Sequence, residues 1–300
     1  MSASLRGFLV CDKPAGVTSR DVVNWVQRRM RHDFPTVRKL KVGHTGTLDP
    51  LATGVLVIAI GAATRLTDQV HTLAKRYRGT FRLGAFSDSG DIDGEVIEDV
   101  SKPIPGAAQL ADACKSFTGV IEQVPPAHSA IHIDGVRAYQ RVRRGEKVCM
   151  PSRTVEIHDL RLIRYEPPRF TIDVRCGGGT YIRTLGIDIA KSAGSVAVMT
   201  ELVRTSIGDF HLDEALSREQ LETAELTQHL RPLVEAFPTD QRLGVDSAEA
   251  IELSHGRPIA NRWRASGRRA ATDENHQVLA VVDCDASNCR PTIVLAPAGQ

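Results

Sequence analysis

Lys41-Val42-Gly43-His44-Thr45-Gly46-Thr47-Leu48-Asp49-Pro50-Leu51-Ala52-Thr53-Gly54-Val55-Leu56 is the stretch on which the reading of this chain turns. Glycines at 43, 46 and 54 surround a single acid, Asp49. Glycine permits tight turns and close backbone approach, and Pro50 biases Asp49 away from helical backbone, so the acid is expected at a fixed corner of a loop. The apolar run from Val55 to Ile60 reads as a buried segment anchoring that loop from behind. A carboxylate held rigidly against core suits catalysis. An Asp before Pro also caps ordinary turns, and these residues alone leave both readings open.

At 300 residues the chain is long enough for one large domain and a small one, here expected over 1–238 and 239–300, with Pro232 to Pro238 as the exit from the first. A hydrophobic content of 42% and a charged content of 25% fit a soluble globular protein and exclude general disorder. The formal net charge of +2 names no partner, but the positive charge is clustered. Arg28, Arg29, Arg31, Arg38, Lys39 and Lys41 precede the opening stretch; Arg137, Arg141, Arg143, Arg144 and Lys147 form a second group, and Arg262, Arg264, Arg268 and Arg269 a third. A charge run is usually a solvated face, yet three in one chain favour a polyanionic partner. The six cysteines contain no Cys-x-x-Cys pair, so reduced thiols are expected and neither a zinc site nor a disulfide framework. With no signal-peptide core and no apolar run long enough to span a bilayer, the expected location is the cytoplasm, away from membranes.

Along the chain, Gly7 to Asp12 reads as a buried strand, and Thr18 or Ser19 as the cap of a helix running to about Met30. Gly61 to Thr64 is expected to lead into a helix reaching about Ala74. Tyr77, Phe81 and Leu83 alternate with Arg78 and Arg82, which marks a half-buried strand. Ser87 to Glu95 resembles a calcium loop, but position twelve from Asp88 is Asp99 and position six is not glycine, so calcium is rejected. Ala107 to Phe117 reads as a helix, Val124 to Ala130 as an ordered loop, and Gly135 to Gly145 as a short basic helix within a protruding segment of about 124–152. Arg169 to Cys176 alternates strictly, and a helix from Tyr181 to Ala193 follows three glycines. Leu202 to Phe210 alternates again. The last sixty or so residues carry a helix at Ser247 to Leu253 and short strands at Val278 to Val282 and Thr292 to Leu295, the pattern of a small β-rich accessory domain.

Several chemistries are absent from the sequence. Gly43 to Thr47 is not followed by Gly-Lys-Ser/Thr, no dinucleotide fingerprint occurs, and no Gly-x-Ser-x-Gly elbow is present. None of the ten histidines pairs with another ligand at helical spacing, so no metal is expected. One conspicuous acid, one arginine after a glycine turn, one tyrosine at a strand start and basic surfaces remain.

Gly43-His44-Thr45-Gly46-Thr47-Leu48-Asp49-Pro50-Leu51-Ala52-Thr53-Gly54 resembles the signature of the TruB family of tRNA pseudouridine synthases. Asp12 to Ser19, Lys75-Arg76-Tyr77, Val124 to Ala130 with Arg137-Ala138-Tyr139, and Gly179-Thr180-Tyr181-Ile182-Arg183 recur in the family's order over roughly residues 7 to 210. The resemblance implies a mixed α/β catalytic domain with a central antiparallel sheet and flanking helices, and a small C-terminal RNA-binding domain of PUA-like or lineage-specific type. It implies that the T-loop uridine (position 55) of tRNA becomes pseudouridine: uracil leaves its N-glycosidic bond, turns, and rejoins the ribose through carbon five. Asp49 would be the catalytic carboxylate, either attacking the ribose carbon or abstracting a ribose proton. Arg183 would pair with it, Tyr77 would pack on the target base and His44 would occupy the space the flipped base leaves. Gly43, Lys13, Arg137, Tyr139, Arg141, Tyr181 and Leu202 would contact substrate. No cofactor and no metal are implied, and the T-arm stem-loop would be the partner of a monomer. The chain departs from the family pattern at His132, where lysine is common, at Val203, where arginine is common, and at Gly194-Ser195-Val196. The first two remove positive charge at expected RNA contacts. Two rival readings are a non-catalytic RNA-binding or RNA-folding protein and a carboxylate-based nucleoside hydrolase; a purely binding protein has no use for Asp49, Tyr77 and Arg183 together.

Overall fold

Thr18 begins the first helix by accepting a hydrogen bond from the Asp21 N–H, while the Asp21 carboxylate accepts from the Thr18 N–H, a reciprocal cap that satisfies two backbone donors. The computed structural model describes residues 5–37, 39–126, 132–133, 136–137, 141, 144, 146 and 150–295. They fall into two compact units: residues 1–49, 55–73 and 207–300 form one, and residues 50–54 and 74–206 the other.

In the first unit, β1 (Gly7–Lys13) is almost wholly buried, as expected. Helix α1 (Ser19–Asp33) buries Val22, Val23, Val26 and Met30 on one face and stops at Phe34, next to Pro35. Strand β2 (Val42–His44) pairs antiparallel with β3 (Thr53–Ile60), His44 opposite Ile58. From Gly54 to Ile60 every residue of β3 is buried, which is what a continuous apolar run demands. The α1 face and Leu56, Ile58 and Ile60 share one hydrophobic cluster. A 3-10 turn at Gly61–Leu66 leads into the helix α2 (Thr67–Thr72), which ends short of the expected Ala74.

The second unit holds β4 (Lys75–Leu83), the short pair β5 (Ala85–Phe86) and β6 (Ile97–Glu98), α3 (Ala107–Ser116) and β7 (Gly119–Gln123). It continues with the pair β8 (His132–Ile133) and β9 (Val136–Arg137), then β10 (Arg153–Glu166), β11 (Arg169–Cys176), α4 (Ile182–Ser192) and β12 (Ala197–Ile207). The strand order is β12, β4, β11, β10, β7, antiparallel from β4 to β7. At Thr53 and Gly54 the start of β3 runs parallel to Val203 and Arg204 of β12. Gly54 has φ +97°, and a Cβ there would strike the Arg204 carbonyl, so this crossing requires glycine. Phe81 stacks on Phe170 at 5.2 Å, and Gly186 of α4 leaves room for the Phe81 ring. The strict alternation expected of β11 is modified: Thr171 and Asp173 are also buried, Asp173 receiving the Arg76 guanidinium at 2.7 Å from β4 and the Thr171 hydroxyl lying 3.2 Å from that of Thr80. The basic helix expected over 135–145 begins differently. Val136 and Arg137 are extended and pair with Ile133 and His132, while Arg141 is helical and its carbonyl accepts from the Arg144 and Glu146 N–H groups; the rest of that segment, like 127–130 of the expected loop, lies outside the described residues.

Returning to the first unit, β13 (Phe210–His211) and α5 (Arg218–Thr223) lead to the C-terminal elements β14 (Arg242–Gly244), α6 (Ser247–Ser254), β15 (Ile259–Ala260), β16 (Gly267–Thr272), β17 (Val278–Cys284) and β18 (Asn288–Val294). Their five strands order β14, β16, β17, β18, β15, a sheet of their own. Ala270, Val278, Val281 and Leu295 from this region join Phe8, Val10, Val55, Val57 and Ala59 in a single buried cluster.

Candidate active site

Asp49 is half-buried at the end of a loop whose two ends are fixed by different elements. At its start the Thr45 N–H donates to the Val57 carbonyl of β3 at 2.9 Å. Just before Asp49, the Ser19 hydroxyl, 3% exposed, accepts from the Leu48 N–H at 2.9 Å and donates to the Leu48 carbonyl at 3.1 Å. His44 Nδ1 accepts the Gly46 N–H at 3.4 Å, so the imidazole lies against the glycine turn that leads to the acid. Gly43 has open space where a Cβ would stand, so no close approach in the described structure requires glycine there. Lys13, expected to touch substrate, is fully buried; its ammonium donates to the Pro14 and Val17 carbonyls at 2.8 Å each and closes the turn between β1 and α1. Among the described residues no cluster of three or more His, Cys, Asp or Glu is placed to hold a metal ion, and no helix is long and apolar enough to cross a membrane.

Tyr77, Tyr181, Arg183 and Leu202 belong to the second unit. Tyr77 is half-buried on β4, opposite Val174 of β11, and Leu202 is buried in β12. Arg183 sits in the first turn of α4 and is itself buried. Its guanidinium meets the Asp91 carboxylate at 2.9 Å and donates to the Ser89 carbonyl at 2.6 Å, with both side chains below 10% exposure. The acidic loop is thus an anchor for an arginine. Asp91 is itself fixed, accepting from the Ser89 hydroxyl at 2.7 Å and the Asp93 N–H at 3.2 Å. Tyr181 is the N-cap of α4, and its backbone is gripped by Gln123, which accepts from the Tyr181 N–H at 2.7 Å and donates to the Tyr181 carbonyl at 3.0 Å. Arg153 lies over the Tyr181 ring at 4.6 Å.

Two buried cations escaped sequence reasoning. Lys75 opens β4 at 7% exposure and Arg204 on β12 is 2% exposed. Burial, with the nearby Arg204 charge, pulls the Lys75 ammonium down to about 8. Across the β4–β11 ladder from Lys75, burial pushes the Cys176 thiol up to about 11. The available signal was a lone lysine or arginine at an inward position of an alternating strand. Of the expected RNA contacts, Arg137 stands in β9, Arg141 is 3.9 Å from Glu146, and Tyr139 lies outside the described residues. In the third basic cluster Arg262 is held by Glu249 at 3.0 and 2.9 Å, while Arg264 and Arg268 are exposed.

Residues 34–182 match the family model described as the N-terminal domain of the TruB family pseudouridylate synthases. Over 94% of its length the chain is 44% identical to tRNA pseudouridine synthase B of Rhodopirellula baltica, covering 87% of that protein. The chain belongs to the TruB family. It is 39% identical to the tRNA pseudouridine synthase B of Arthrobacter sp. strain FB24, over 99% of this chain and 98% of that one. A solved Cbf5-Nop10-Gar1 complex contains a chain of the same fold, with a TM-score of 0.74 at 21% identity, over 97% of this chain and 85% of that one. Like other TruB family members it is a pseudouridine synthase, with a mixed α/β fold around a central sheet and a β-rich C-terminal region.

Proposed function

We propose that this protein isomerises the T-loop uridine of tRNA to pseudouridine and that Asp49 is its catalytic carboxylate. The observation that carries the assignment is the double-anchored loop that ends on Asp49, in a chain that shares 44% identity with a named tRNA pseudouridine synthase B. In the reaction the bond from uracil N1 to the ribose carbon breaks, the ring turns, carbon five bonds to the same ribose carbon, and the carbon-five proton leaves while N1 gains one. Asp49 acts on the ribose. Arg183 is assigned as the partner that orients Asp49 for the reaction. The Asp91 and Ser89 contacts support this role, since they hold the arginine's head group in place before substrate arrives.

Tyr77 packs on the target base, which must leave the RNA stack to be reached, and His44 takes the space it vacates. Arg137, Tyr139 and Arg141 follow the RNA backbone, giving affinity without base reading. The C-terminal sheet, whose core is shared with β1 and β3, adds RNA-binding surface, and the enzyme works as a monomer in the cytoplasm, without cofactor or metal. The test is incubation with an unmodified T-arm stem-loop followed by carbodiimide mapping. Wild type is expected to yield pseudouridine at the T-loop uridine, and Asp49→Ala to yield none while binding RNA about as well. Turnover by Asp49→Ala near that of wild type would remove Asp49 from the chemistry, and absence of product from wild type would favour an RNA-binding protein without catalysis.

A further inference from the structure

The loop before Asp49 is held by a side chain that the reaction itself does not call on. Ser19 uses one hydroxyl to satisfy both backbone groups of Leu48, accepting its N–H at 2.9 Å and donating to its carbonyl at 3.1 Å. At 3% exposure Ser19 has no surface to offer RNA. Its freedom to face the loop comes from its neighbour. Thr18 takes the capping duty at the helix start, with Asp21 as its counterpart, so the Ser19 hydroxyl is not spent on the helix's own orphan donors.

The frame behind this latch is stiff. Val22, Val23 and Val26 of α1 pack in the cluster that holds Leu56, Ile58 and Ile60 of β3, the strand into which the loop runs. On the far side of α1, the Arg29 guanidinium donates to the Leu221, Glu222 and Ala224 carbonyls at the end of α5 and pairs with Asp33 at 2.7 Å. The loop therefore begins on β3, through Thr45 and Val57, and is caught again by α1 through Ser19 and Leu48. The second catch lies one peptide bond from Asp49.

We propose that Ser19 is a positioning residue for Asp49: its two-way bond to Leu48 sets the backbone from which the catalytic carboxylate projects. This rests on the reading of Asp49 as the reacting acid. A hydroxyl is required because the same atom must accept and donate. Alanine removes both bonds and leaves a buried N–H and carbonyl that draw the peptide toward water. A displacement of about 1 Å at a reacting group costs on the order of 100-fold in rate.

The experiment compares wild type, Ser19→Ala, Ser19→Thr and Asp49→Asn on a T-arm stem-loop, measuring kcat, RNA Kd, thermal unfolding and amide exchange of the peptide spanning residues 44–50. Ser19→Ala is expected to lose roughly 10- to 100-fold in kcat with RNA Kd within about twofold of wild type. Amide exchange should quicken in the 44–50 peptide and stay unchanged in β3. Ser19→Thr, which keeps the hydroxyl, should regain most of the rate and the protection. Ser19→Ala with wild-type kcat, while Asp49→Asn is inactive, overturns the role of Ser19 and leaves Asp49 standing. A loss that tracks unfolding, with exchange raised equally in β3, also overturns it. Wild-type turnover by Asp49→Asn removes the reading on which the proposal rests, and the proposal with it.

Discussion

Asp91→Asn tests whether the acidic loop is the structural counter-charge of Arg183. The two side chains are 7% and 6% exposed and meet at 2.9 Å. At that separation, with an effective dielectric constant of about 20, their attraction is about 6 kcal/mol. Desolvation of both ions offsets most of it, but deleting one partner of a buried pair weakens the compensation of the other and costs up to about 3–5 kcal/mol. Asparagine keeps the shape and still accepts from the Ser89 hydroxyl and Asp93 N–H, so the lower end, about 3 kcal/mol, is expected. With a denaturant slope of about 2–3 kcal/mol per molar, the urea midpoint should fall by roughly 1 M. Equilibrium unfolding followed by tryptophan fluorescence and by circular dichroism reads that shift directly. In the double variant with Arg183→Met the penalty should be well below the sum of the two single ones, since each single variant already loses the Asp91–Arg183 interaction and the sum counts it twice. A midpoint shift for Asp91→Asn of less than about 0.3 M, or full additivity with Arg183→Met, would refute the reasoning.

Two further perturbations address the strands beside the candidate site. Gly54→Ala places a Cβ at φ +97° against the Arg204 carbonyl; strain of about 1–2 kcal/mol plus overpacking of about 1–3 kcal/mol should lower the melting temperature by roughly 5–10 °C, and an unchanged melting curve would show that β3 and β12 do not cross so closely. Lys75 releases its proton near pH 8 when folded, whereas the unfolded chain keeps it to about pH 10.4. Between those values the unfolded state binds more protons, so this group's contribution to stability rises with pH, after a constant penalty below about pH 8. Lys75→Met should therefore gain stability relative to wild type below pH 8, with the gap closing toward about pH 10.4; a gap independent of pH between 7 and 10 would contradict a depressed lysine.

What the chain reveals on reading, and what it conceals, follows the range of the interactions involved. The cap at Thr18, the burial of Val55 to Ile60 and the strand from Tyr77 to Leu83 depend on near neighbours and periodicity, and all three are present. Strand β10 left no clean signal because bulges between Ile157 and Asp159 and between Leu162 and Arg164 shift the alternation in mid-strand. In β16 the buried positions are Ala270, Ala271 and Thr272, too small and too polar to mark a strand by hydrophobicity. Asp91 could be read as an acid in a loop but not as the partner of Arg183, because that meeting depends on how distant segments fold together. The same holds for Ser19 and Gln123. Each is an unremarkable polar residue until a foreign backbone arrives to use both its donor and its acceptor.

The cluster joining Phe8, Val55 and Val57 to Ala270, Val278, Val281 and Leu295 bears on how this protein can be cut or recombined. The first strand and the last share one apolar interior, and Arg6 reinforces the closure through the Gln277 side chain at 3.2 Å. A gene ending after Pro238 would strip that interior of one wall and leave Leu233, Val234 and Phe237 facing water. The C-terminal sheet is therefore a keystone rather than a cassette, and grafting it onto or off this scaffold would demand redesign of the strand that leads out of the Asp49 loop.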